Sequence, residues 1–173
     1  MEICRRGDDL EIFDLDPFLA ELLRQIPASA NPEGASAAEE RLFSTPADAS
    51  EKGICAEWKV YVEPELRRLF QSATETVAAD LAQLNGKEEV AANCTLRIPA
   101  KHADAWLNAL NQARLVIAAK YDFSDHELND HYRSPIGSRR DLGLFQVNFY
   151  GFLQEFILRE MFGGKERLPD QRC

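Results

Sequence analysis

Apolar residues recur along this chain in two rhythms, one of strands and one of helices. Near the start they alternate. Glu2-Ile3-Cys4-Arg5-Arg6 and Leu10-Glu11-Ile12-Phe13-Asp14 flank the turn-rich triplet Gly7-Asp8-Asp9, which predicts a β-hairpin. Alternation returns where Cys94, Leu96 and Ile98 are interleaved with Thr95 and Arg97 ahead of Pro99. A lone strand needs a partner, and the N-terminal hairpin is the obvious one.

The helical rhythm covers most of the rest. Asp16-Pro17 supplies an N-cap and a proline at the first helical position, and Phe18, Leu19, Leu22, Leu23 and Ile26 carry a helix that stops before Pro27. Residues 27–35 read as a loop, and Ser36-x-x-Glu39 as a capping box opening a short helix through Phe43. Residues 51–62 read as a helix with Ile54, Trp58, Tyr61 and Val62 on one side, which Pro64 should kink or break. The next stripe is Leu66, Leu69, Phe70, Ala73, Val77, Leu81 and Leu84, with Asn85-Gly86 as its C-cap. Two long helices follow, about 101–121 and 141–162. The second is apolar around most of its circumference, as befits a central bundle helix or a subunit interface. Its aromatics (Phe145, Phe149, Tyr150, Phe152, Phe156 and Phe162) fall at helical spacing, the pattern of core rather than of a cofactor box. The fold class expected is mainly α, or α+β in detail. It is a single domain over 1–173, a helical bundle carrying a small antiparallel sheet, with loops at 27–35 and 133–140.

Charge and cysteine usage narrow the function. A length of 173 residues suits one domain, and a net charge of −9 argues against a general nucleic-acid binder or a ligand of anionic membranes. Within the apolar stretch from Leu142 to Phe162, Gln146, Asn148, Gln154, Glu155, Arg159 and Glu160 exclude a lipid-facing span. Cys4, Cys55, Cys94 and Cys173 are far apart, without a C-x-x-C pair, and no secretory leader opens the chain. The expectation is a reduced cytoplasmic protein.

Three constellations carry candidate chemistry. His126-Glu127-Leu-Asn-Asp-His131 approaches the H-E-x-x-H metal pattern, but its spacing of five turns the second histidine by about 140° on a helix. Ser124-x-x-Glu127 is also a capping box, with Phe123 and Leu128 at staple positions, so Glu127 already has a structural role. The second constellation, Arg133-Ser-Pro-Ile-Gly-Ser138-Arg139-Arg140, clusters three arginines before a helix N-terminus, where an anion can dock. It has one glycine and no ordered phosphate loop. A solvated loop capped by Ser138 or Asp141 is the simpler account.

The third constellation lies between the two long helices. Arg114 has Leu107, Leu110, Ile117 and Ala118 three or four residues away, so its guanidinium needs a partner from elsewhere. Gln154 is likewise flanked by Tyr150, Gly151, Ile157 and Leu158, and Glu155 lies on a polar stripe with Asn148, Gly151 and Arg159. A helix pairing that joins Arg114 to Gln154 or Glu155 makes a buried polar clamp; the other reading is the polar floor of a small pocket.

Trp106-Leu-x-Ala-Leu-Asn111-x-x-Arg114-Leu resembles the signature of an uncharacterised bacterial family, a domain of unknown function often encoded beside the Clp-protease adaptor. Arg41-Leu-Phe-Ser-Thr-Pro46 and Leu153-Gln154-Glu155 are further matches, and the resemblance spans most of 38–162. The family usually has Asn-Asp where Asn111-Gln112 stands here, and Leu-Gly after the arginine where this chain has Val116-Ile-Ala-Ala. A role for that acid does not carry over. The resemblance marks Trp106, Asn111, Arg114, Gln154 and Glu155 as polar-core or ligand candidates, and its gene neighbourhood points to regulation.

No complete catalytic set, P-loop or dinucleotide fingerprint is present, and no cofactor is implied. The leading expectation is a non-catalytic regulatory or interaction protein whose partner is another protein or a second copy, with no nucleic acid and no membrane. The alternatives are a binder of a small anionic ligand at Arg114 or the 133–140 loop, and a metal-dependent hydrolase through His126 and His131.

Overall fold

A computed structural model describes residues 1–48, 50–84, 94–129 and 136–162. Strands β1 (Glu2–Arg6) and β2 (Asp9–Leu15) form the hairpin, and β3 (Cys94–Ile98) adds antiparallel to the other edge of β2, in the order β1-β2-β3. The hairpin loop is two residues, not three: Asp9 is already paired with Arg6. Gly7 sits at φ 66°, the positive φ that a two-residue loop demands and glycine supplies without strain. Alternation puts Leu10, Ile12, Leu96 and Ile98 on the covered face, each at most 2 % exposed. On the outer edge of β3, the Gln83 amide donates to the Arg97 carbonyl (3.0 Å) and accepts from its N–H (3.3 Å). That local pairing blunts an edge otherwise open to another strand.

The covered face of the sheet shares one core with the helices. Helix α1 (Pro17–Arg24) is capped by Asp16, whose carboxylate accepts from the Leu19 N–H at 2.9 Å. The chain then makes one further turn, α2 (Ile26–Ser29). Pro27 therefore opens a short helix rather than a loop, because the first turn has no use for the N–H that proline lacks. Helix α3 (Ser36–Phe43) starts one residue earlier than a Ser36 cap requires, with Ala35 at the N-cap and no side-chain cap bond. The expected capping box does not form; Glu39 instead lies 3.8 Å from the guanidinium of Arg67.

Pro64 does not end the helical run, but the regular α-helix is interrupted just before it. Helix α4 (Lys52–Glu57) passes through a π turn at Trp58–Val62 into α5 (Glu63–Leu81). The Glu63 N–H bonds to the Trp58 carbonyl, five residues back, and proline falls in the first turn of α5. The wider turn takes up the bond that proline cannot make. A 3-10 turn, Ala82–Leu84, follows.

Helix α6 (Ala103–Tyr121) packs against α8, α5, α2 and α3, and is the centre of the bundle. It ends at Asp122 in the left-handed region, φ 50°. Helix α7 (Asp125–Asn129) is short, and α8 (Arg139–Ile157) runs into a π turn at Leu158–Phe162. The expectation for α8 is thereby divided: it lies along α6, yet Phe152 and Leu158 are each 50 % exposed. One tie to α1 is Tyr150, fully buried, whose hydroxyl donates to the Leu22 carbonyl at 2.7 Å. Burial holds that phenol up at about 12. The fold is thus mainly α with a small antiparallel sheet. Among the described residues no helix is long and apolar enough to cross a membrane.

Candidate functional site

Two long helices meet at Arg114 and Gln154. The Arg114 guanidinium Nη1 donates to Gln154 Oε1 at 2.7 Å, and Gln154 Nε2 donates to the Leu107 carbonyl at 3.1 Å. The amide therefore links the arginine to a carbonyl two turns earlier on the same helix α6. Space for the guanidinium comes from Gly151: a Cβ there would lie 3.2 Å from Arg114 Cζ. The partner is a neutral amide rather than a carboxylate, and Arg114 Nε is buried without a hydrogen bond among the described residues. Partial burial uncompensated by a counter-charge pulls the Arg114 pKa down. Glu155 and Asn111 are exposed, and neither joins this group.

Trp106 serves a different cluster. Its indole N–H donates to Asp80 Oδ2 at 2.9 Å, across from α5, and His102 Nδ1 lies 2.9 and 3.0 Å from the two Asp80 oxygens. Asp80 is 7 % exposed and Trp106 fully buried. A carboxylate facing Nδ1 takes the hydrogen bond of that nitrogen and fixes the orientation of the ring. A histidine held this way has the posture of a general base, but among the described residues no Ser, Thr or Cys is hydrogen-bonded to it. Neither Asp80 nor His102 stood out in the sequence. The available signal was Asp80 between Val77 and Leu84, three residues before and four after, both buried.

The arginine-rich approach to α8 carries its own anion. Ser138 is the N-cap, its hydroxyl accepting from the Asp141 N–H at 3.1 Å and donating to Asp141 Oδ2 at 2.8 Å. The same carboxylate takes the Gly137 N–H at 3.2 Å. These contacts, led by the Ser138 hydroxyl, hold the Asp141 pKa below the usual carboxylate range. Helix α8 begins at Arg139, so the predicted 133–140 loop ends at its cap. Arg140 Nη1 donates to Glu127 Oε1 at 2.6 Å and its guanidinium lies 4.6 Å from the Phe123 ring centre. Arg139 is exposed, and Arg133 lies outside the described residues.

Glu127 is occupied on both oxygens. Besides Arg140 it accepts at Oε2 from the Ser124 N–H (3.0 Å) and hydroxyl (2.9 Å), while the Ser124 hydroxyl accepts from the Glu127 N–H at 3.3 Å. The capping box is complete. The Arg140 hydrogen bond, then those of Ser124, pull the Glu127 pKa down to about 2. A carboxylate so engaged is a poor base for bound water. His126 is exposed on α7. The second histidine, His131, lies outside the described residues, as do the 85–86 cap and Cys173. No group of three or more metal-ligating residues occurs among the described residues.

The architecture defines a mainly helical protein in which α6 carries two separate polar groupings, Trp106 with Asp80 and Arg114 with Gln154. A family model described as "Domain of unknown function (DUF2017)" matches residues 7–161, and the chain belongs to that family. No curated protein and no solved structure matches it.

Proposed function

We propose that this chain is a non-catalytic, cytoplasmic interaction protein that presents the α4–α5 helix to a partner protein. One observation carries the reading: among the described residues, the first half of that helix is left largely uncovered. No residue of 52–62 is buried. Ile54, Tyr61, Val62 and Leu69 are 51, 71, 36 and 52 % exposed. Ile54, Val62 and Leu69 recur at seven or eight residues, about two turns, so they follow one another along the helix. Trp58 ties the segment to α3 by an indole bond of 3.3 Å to the Phe43 carbonyl.

Isolated surface apolar residues need no explanation, but a row of them on a projecting helix marks an interaction site. Its flanking charges are mixed and largely paired, with Arg67 on Glu63 at 2.9 Å and Arg68 on Glu65 at 2.7 Å. A neutralised rim suits a protein groove better than a phosphate backbone or an anionic bilayer, in the helix-in-groove mode. The resemblance to a bacterial family encoded beside the Clp-protease adaptor agrees with such a regulatory role.

The test is cross-linking from a photoreactive residue at position 61 in the producing cell. One adduct should form, the purified pair should bind by calorimetry, and Leu69→Asp should abolish both. The same adduct from the Leu69→Asp chain, or none, overturns the reading. A dimer in sedimentation that the substitution dissolves would assign the face to a second copy instead.

A further inference from the structure

Helices α2, α3, α5 and α6 and the 30–33 segment line a solvent-open cavity of about 500 Å³, within the size of small-molecule sites. Gln112 of α6 lines it. This residue is 3 % exposed, and its amide nitrogen is buried with no hydrogen-bond partner among the described residues. Buried polar groups nearly always have partners, so an orphan amide on the wall of a cavity points to a group from outside the chain. Phe43 and Phe70, with ring centres 5.7 Å apart and tilted by 40°, add aromatic walls.

Charge restricts the occupant further. Glu33 and Glu39 face one cation, Arg67, which already bonds Glu63 at 2.9 Å and lies 3.9 Å over the Phe43 ring. Two carboxylates against an occupied guanidinium disfavour a phosphate or carboxylate ligand. A simple cation leaves the Gln112 donor unmatched. A neutral planar ring with an amide edge satisfies both conditions: its carbonyl takes the Gln112 N–H, and its faces meet the aromatic walls.

We propose that this cavity is a binding site for a neutral, amide-edged heterocycle of nucleobase or nucleoside size, with Gln112 as its specificity-determining residue. The site shares Arg67 with the rim of the α4–α5 face but is lined by none of Ile54, Tyr61, Val62 or Leu69, so it stands or falls independently of that face.

Uridine and nicotinamide are the probes, with uridine monophosphate and N3-methyluridine as controls, added to the full chain. Expected are saturable binding of at least one probe at submillimolar concentration by ligand-observed NMR, and a shift of the Gln112 side-chain amide signals. The added phosphate should weaken uridine binding, and Gln112→Met should weaken either probe at least tenfold. Asn111→Ala, outside the cavity, and Tyr61→Asp, on the other face, should leave binding unchanged. If Gln112→Met fails to fold, the amide shift in the unsubstituted chain decides. Equal binding by Gln112→Met, tighter binding of the monophosphate, or a Gln112 amide that titration to millimolar probe does not move overturns the proposal. So does an experimental structure in which only ordered water meets that amide.

Discussion

Helix α6 and the first half of the α4–α5 helix both carry apolar residues at helical spacing, and their fates are opposite. In α6, Trp106, Ala109, Leu110 and Ala113 have no exposed surface. In the other, Ile54, Val60, Tyr61 and Leu69 are more than half exposed. The difference is not local propensity, since both segments are continuous helix. It lies in the number of elements that reach them: α6 is wrapped by four helices and sets Trp106 beside Leu10, Ile12 and Ile98 of the sheet, whereas α4 touches mainly its own continuation. Periodicity reports that a face is apolar. It does not report whether this chain or another molecule covers it.

The largest expected contrast comes from emptying the core. Trp106→Ala removes a buried indole and strips Asp80 of a donor, and should cost about 3–5 kcal/mol in a denaturant titration. A cost below about 1 kcal/mol would mean that α6 is not the centre of the bundle.

Next is Gly143, where α8 presses on α6. A Cβ there would stand 2.6 Å from Tyr121 Cε2, so Gly143→Ala must displace a ring stacked on Phe123. Overpacking of this kind costs about 1–3 kcal/mol. At Gly151 the contact is the movable end of Arg114, and Gly151→Ala should cost less. A reversed order would show that the guanidinium, not the aromatic ring, is the rigid neighbour.

The Arg114–Gln154 pair calls for a double-mutant cycle with Arg114→Met and Gln154→Leu. Because the partner is a neutral amide and the arginine only half-buried, the coupling should be about 1 kcal/mol, smaller than for a fully buried ion pair. Coupling near zero would remove the clamp. Binding of an anion to the unsubstituted chain, lost in Arg114→Met, would make it a ligand site.

A smaller effect separates the core from its rim by pH. Glu127 titrates at about 2 in the folded chain against an ordinary 4.5. A depressed carboxylate stabilises above its unfolded value, and that contribution is lost as pH falls through the folded one. Between about pH 4.5 and 2 the unsubstituted chain should therefore lose stability that Glu127→Gln lacks throughout. Parallel acid titrations of the two chains would refute this.

The smallest effect is expected on the projecting helix. Tyr61→Ser and Leu69→Ser should each change stability by no more than about 0.5 kcal/mol, as surface positions do. A cost above about 1.5 kcal/mol would mean that the face is covered within the chain.

Local chemistry was legible in the sequence. The hairpin, the third strand at 94–98, the Asp16-Pro17 start, the Ser124–Glu127 box and the long helices all follow from period, caps and turns, which act over a few residues. Local reading went astray where two local signals competed. Ser36-x-x-Glu39 matches a capping box, yet Glu39 turns to Arg67; Pro64 should interrupt a helix, yet a π turn absorbs it. Arg114 was legible as a cation needing a partner. Its partner was narrowed to two neighbours, and only the rotation of α8 chose Gln154 over Glu155. Asp80 to Trp106, Arg114 to Gln154 and Tyr150 to Leu22 span 26, 40 and 128 residues. Nothing within a few residues of either end encodes such a meeting. The same holds for the cavity beside Gln112 and for the uncovered face of α4–α5. Both are products of how four helices pack, so tertiary structure alone decides them.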